Sequence, residues 1–194
     1  MKKWSSTFRI WHWLFMLTFL FMSATVIIRE TVLDKQAVSA VIIEDLGMSD
    51  INISKDDAID MAKDIRSPLW ESHVLVGYLF AGLVVARYML FATRSGRRNY
   101  INCSEKTLHK KGVSATYLGI YGFATLLALS GLGMKFNAKF DLSEELVHTI
   151  KEVHEFAFYA MLILVIAHIA GVIIAENSSE KGIVSDMING GEEK

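Results

Sequence analysis

Four stretches of the chain are apolar for about twenty residues each, at 10–28, 74–93, 113–134 and 156–175, with polar segments of unequal length between them. About 20 such residues, at 1.5 Å of rise each, cross a ~30 Å hydrocarbon layer, so each stretch predicts a membrane-spanning helix. With interfacial residues added, the spans become 8–28, 70–93, 108–134 and 154–175. The fold class expected is all-α: an integral membrane four-helix bundle in one domain, 1–194, with a small helical extramembrane insertion at 29–69 between the first two spans.

The first stretch follows Lys2 and Lys3 and has the outline of a signal peptide. Its apolar core exceeds the usual ~7–15 residues, contains His12 between Trp11 and Trp13, and is followed by no clean cleavage site. It is therefore expected to stay as the first span. Lys2, Lys3 and Arg9 hold its start on the cytoplasmic side. The connection carrying Arg94, Arg97, Arg98, Lys106, Lys110 and Lys111 against one acid, Glu105, belongs on that side too. Both termini are then cytoplasmic, and the expected location is a bacterial inner membrane.

Segment 29–72 holds ten acidic and five basic residues. A short helix is expected from Asp34 to a stop at Gly47. A second opens at a capping box, Ser54-Lys55-Asp56-Asp57, and runs to Arg66. Ser67-Pro68 is expected to end it and start the second span, with Ser67 as N-cap and Pro68 at the first helical position. Ser143 is the expected N-cap of the helix entering the fourth span. His148 is expected in the outer loop, in solvent.

Composition narrows the chemistry. The chain is 52% hydrophobic, with mean hydropathy +0.33, one proline and a net charge of -1. Cys103 is the single cysteine, which excludes an internal disulfide, a CxxCH haem attachment and cysteine-held clusters. No nucleophile–base set, no phosphate-binding glycine loop and no basic surface for nucleic acid stands out.

The histidines carry the functional signal. His154 and His168 are fourteen residues apart, about 21 Å along a helix axis and within about 40° of four whole turns. They share a face near opposite sides of the membrane. His12 starts the first span at the depth where His168 ends the fourth, and His73 enters with the second span at the depth of His154. Two level-matched pairs follow, His12/His168 and His73/His154. Paired imidazoles at two depths suggest two non-covalent haems, each held by two histidines, since ionisable groups in lipid are costly unless they serve such a site. The bland alternative for any one histidine is helix packing.

Arg87, fourteen residues after His73, falls at the inner depth and has two readings, a haem propionate partner or a cation snorkelling to the surface. Arg9, one turn before His12, has the same two. His109, beside Lys110 and Lys111, is read as a propionate or quinone contact, or as an interfacial anchor. Gly77, Ala157 and Gly171, near the proposed ligands, could clear space for a macrocycle or simply let helices approach.

As a set, Arg9-Ile-Trp-His12-Trp13, His73, His154-x13-His168 and the tail GIVSDMING at 182–190 resemble the bacterial cytochrome b561 family, which includes the b-type cytochrome subunits of nickel–iron hydrogenases. The resemblance covers all four spans. It implies a bundle binding two haem b groups that carries electrons between a quinone and a redox partner at the outer face, of hydrogenase, dehydrogenase or cytochrome c type. The long 29–72 segment departs from the smallest members. Two rival functions remain: a stand-alone oxidoreductase, for example from superoxide to quinone, and a haem-free metal or proton transporter.

Overall fold

The computed structural model describes residues 4–92, 108–178 and 181–190. Six helices make up the described chain: α1 Ser6–Glu30, α2 Lys35–Gly47, α3 Lys55–Ala92, α4 Leu108–Lys135, α5 Glu144–Asn177 and α6 Ile183–Asn189. No strand occurs among the described residues. Four of the helices are long and apolar enough to cross a membrane, at Ser6–Glu30, Lys55–Ala92, Gly112–Lys135 and Glu144–Asn177. The chain is an all-α, multi-pass membrane protein, as the hydropathy pattern predicts. Most of the basic connection, including Arg94 to Lys106, lies outside the described residues, as do Cys103, Lys2 and Lys3. So do the side chains of His109, Lys110 and Lys111.

The residues group into two compact units, Met16–Leu79 and Met1–Phe15 with Phe80–Lys194. In the first, the expected caps form. Asp34 accepts from the N–H groups of Gln36 and Ala37 at 2.9 and 3.0 Å, which holds its carboxyl below the usual carboxylate range. Ser54 accepts from the Asp57 N–H at 3.1 Å, while its own hydroxyl donates to the Asp57 carboxylate at 2.6 Å. The capping box is thus half formed, because Asp57 takes the hydroxyl proton and not the Ser54 N–H. Helix α2 stops at Gly47 as expected, yet the left-handed residue of the turn is Asp50, with φ 60°. Aspartate tolerates that conformation better than most side chains.

The expected break at Ser67-Pro68 is absent: α3 runs 38 residues from Lys55 to Ala92 with Pro68 inside it. Proline leaves the carbonyl four residues back, that of Asp64, without its N–H donor. The Ser67 hydroxyl donates to that carbonyl at 2.9 Å and replaces the missing bond. Thus the residue expected to cap a new helix keeps the old one running. Arg66 donates to the Leu33 carbonyl at 3.1 Å and ties α3 to the turn before α2. On α1 and α3, Thr25 meets His73 and Arg29 lies over Trp70, so the two run antiparallel here.

In the second unit, α4 and α5 pack antiparallel. Tyr117 meets His168, Gly119 meets Leu164, Ser130 meets His154 and Gly133 meets Ile150, so position falls on α5 as it rises on α4. At Gly119 an added Cβ would come 2.7 Å from Leu164 Cδ1, so a small residue is needed for this approach. Ser143 caps α5 as expected, accepting from the Leu146 N–H at 3.3 Å. His148 lies on the first turns of α5, not in a loop, because the helix starts twelve residues before the apolar run does. It is exposed, with Nδ1 3.7 Å from the Glu152 carboxylate.

The tail folds back on the start of α1. The Glu176 carboxylate accepts from the N–H groups of Gly182 and Val184 at 2.9 and 3.0 Å and so anchors the start of α6. At the other end, Arg9 donates to the Ile188 carbonyl at 3.0 Å and Trp13 to the Met187 carbonyl at 3.1 Å. These are carbonyls that a helix end leaves without internal donors. Gly190 follows at φ 90°, and a Cβ there would lie 3.1 Å from the Arg9 guanidinium carbon. Gly190→Val is expected to cost about 1–2 kcal/mol from the left-handed backbone alone and to release α6. Trypsin should then cut at Lys181 several-fold faster than in the parent protein, while cleavage within 34–64 stays unchanged.

Candidate haem-binding site

The start of α1 is a column of rings. Trp4 stacks on Phe8, Trp11 on Phe15, and Phe15 on Phe80 of α3. The Trp11 indole donates to the Leu83 carbonyl of α3 at 2.7 Å, which fixes the register of the two helices. His12 projects from this column, edge-on to Trp13 at 5.4 Å between centroids. Its Nδ1 is buried and has no hydrogen-bond partner among the described residues. His168, on α5, lies within electrostatic reach of His12 and stands edge-on to Tyr117 at 5.7 Å. His12 and His168, the two histidines expected at the inner depth, lie in the same compact unit.

Arg87 belongs to the same region. Its guanidinium lies over Tyr121 at 4.8 Å, Phe8 at 5.1 Å and Trp11 at 5.5 Å. Ring faces attract a cation but accept no proper hydrogen bond, and its buried Nε and one terminal nitrogen lack acceptors among the described residues. This is a cation enclosed by rings, unlike one reaching for water. Arg9 differs. Two of its nitrogens serve the chain, donating to Ile188 and to the Ser6 hydroxyl at 3.2 Å.

His73 and His154 occupy different units and are built alike. His73, 8% exposed, stacks on Trp70 at 4.8 Å with the planes 3° apart, and Arg29 caps Trp70 from 4.2 Å. Its Nδ1 lies 2.7 Å from the Thr25 hydroxyl. His154 Nδ1 lies 2.8 Å from the Ser130 hydroxyl. Behind it, an added Cβ at Gly131 would come 3.3 Å from the imidazole.

Helix α5 is unbroken between His154 and His168, so the fourteen-residue spacing holds along one axis. Midway, seven residues from each, Met161 is fully buried, as is Ala157. At Gly77 an added Cβ would meet Met22 at an ordinary 3.5 Å, whereas at Gly171 it would meet nothing within 4 Å. Sequence reasoning missed Met161, whose signal was available in the seven-residue steps from His154 to His168. It also missed Thr25 and Ser130, for which hydroxyls in apolar helices were the only hint.

The sequence model for prokaryotic cytochrome b561 matches residues 3–190. The chain belongs to the prokaryotic cytochrome b561 family. No curated protein and no solved structure matches it. Family membership makes this chain a membrane b-type cytochrome with an electron-transfer role, and it removes the haem-free transporter from consideration.

The residues fit a b haem. A buried imidazole nitrogen without a partner is what a metal ligand looks like before its metal is added, and the ring-enclosed Arg87 suits an anionic propionate. Arg87→Leu removes a positive charge that favours the reduced, less positive centre. In potentiometric titration, the midpoint of haem bound beside Arg87 should move down.

Proposed function

We propose that this cytochrome holds two haem b groups, ligated by His12 with His168 and by His73 with His154, and carries electrons across the bacterial inner membrane. The observation that carries the reading is the proximity of His12 to His168, from opposite ends of the sequence, with a buried His12 nitrogen lacking a partner. The second pair rests on matched depth in the sequence. A b haem, when bound, supplies one-electron redox chemistry at its iron. Held by His12 with His168 and by His73 with His154, the haems would supply electron transfer and not oxygen activation. Met161 and Ala157 keep the α5 face between the two levels dry. Arg87 offsets propionate charge, and the column from Trp4 to Phe80 shields the inner end.

Quinone is the reading for the inner end, where Arg9, His109 and Lys110 offer donors. Arg9 retains one buried nitrogen for such a contact, the others being engaged by α6 and Ser6. The outer end is read as the docking side for a redox protein, within a larger complex of which this chain is the membrane subunit. Acidic segment 29–72 would steer a basic partner.

A pyridine haemochrome assay should give two b haems per chain. His12→Ala and His168→Ala should remove one spectral component, and His73→Ala and His154→Ala the other. One haem per chain, or damage to a single component by His12→Ala and His154→Ala alike, contradicts the reading.

A cysteine replacing Ser54 should react with an impermeant maleimide in intact cells, and the gently solubilised protein should run well above its own 21.8 kDa. Protection of that cysteine overturns the orientation. A chain that purifies alone favours the stand-alone oxidoreductase.

A further inference from the structure

His73 and His154 share a feature that their positions in the sequence do not reveal. The Thr25 hydroxyl lies 2.7 Å from the Met22 carbonyl of its own helix as well as 2.7 Å from His73 Nδ1. The Ser130 hydroxyl lies 2.6 Å from the Leu126 carbonyl as well as 2.8 Å from His154 Nδ1. A carbonyl can only accept, and two oxygens at 2.6–2.7 Å without a hydrogen between them repel. Each hydroxyl has one hydrogen, and it goes to the carbonyl. The hydroxyl oxygen must then accept, so Nδ1 of each histidine carries the proton and donates it. The lone pair of each imidazole is thereby placed on Nε2.

We propose that Thr25 and Ser130 are positioning residues, each fixing its histidine as the Nδ1–H form so that Nε2 is the nitrogen offered to haem iron. The proposal rests on His73 and His154 being ligands. A second consequence follows from the same bond. An imidazole that donates from Nδ1 is more electron-rich at Nε2 and favours the oxidised iron, so these hydroxyls hold the haem potential down. No hydroxyl meets His12 Nδ1 in this way among the described residues.

The test uses the full-length haem-loaded protein in detergent. Thr25→Val keeps the shape of the side chain and removes the hydroxyl, and Ser130→Ala removes the other. Each should raise the midpoint of the haem that His73→Ala or His154→Ala abolishes and alter its low-spin resonance-Raman or paramagnetic-resonance signature. The His12-linked haem should stay in place. Thr25→Ser and Ser130→Thr, which restore a hydroxyl, should return both readouts to the parent values. Loss of that haem in Thr25→Val with retention in Thr25→Ser also supports the role. Unchanged midpoints and spectra in both hydroxyl-free variants overturn it, as does equal damage by the hydroxyl-keeping variants, which marks a purely structural site. If His73→Ala and His154→Ala leave both haems intact, the ligand assignment itself is wrong, an outcome distinct from the failure of Thr25 and Ser130 alone.

Discussion

Inside a hydrocarbon layer no water completes a hydrogen bond, and each polar group carried there must find its partner within the protein. This chain meets the demand mostly with its own helices. Ser23 donates to the Phe19 carbonyl, Thr125 to Tyr121 and Ser72 to Pro68, each one turn back. The same habit lets α3 pass through Pro68, because Ser67 supplies the donor that proline lacks. Trp11 extends it between helices, spending its single N–H on a carbonyl of α3. Among the described residues, His12 Nδ1 and two Arg87 nitrogens are buried without a hydrogen-bond partner, as are the Nε atoms of Arg9 and Arg29.

Hydroxyls that are already bonded to their own helix take on a second use at Thr25 and Ser130. A free serine in a span could either donate or accept, and so would leave a neighbouring histidine undecided. Once its hydrogen is committed to a carbonyl, only its acceptor side is left, and the histidine must donate. The backbone of one helix thus sets the proton position on a ring of another.

Helix α5 gives its unit a straight reference line. Fourteen residues of unbroken helix separate His154 from His168, and Met161 fills the midpoint of that face. A flexible thioether fills irregular space better than a branched side chain does. Helix α6 has a different task. By accepting from Arg9 and Trp13 it holds the turn of α1 that carries Trp11 and His12. The two glycines that frame it, Gly182 and Gly190, both adopt positive φ, the physical reason for glycine at each end of that tail motif.

The sequence by itself determined the four spans, the exclusion of covalent haem attachment and the relative depths of the histidines. Each depends on a quantity measured along one chain: apolar length, a missing motif, or rise and angle per residue. Only the tertiary structure decided what stands opposite each side chain. Arg9, read from sequence as a propionate or surface cation, has most of its donors taken by a tail some 180 residues away. Pro68, a helix breaker by local rules, is absorbed because Ser67 turns its hydroxyl back to Asp64 instead of forward as a cap. His109 is beyond both kinds of reading here, since its side chain lies outside the described residues. Thr25 and Ser130 gave no signal beyond being hydroxyls in apolar helices. Their role depends on the rotation and register of one helix against another, and periodicity within a single helix carries no information about either.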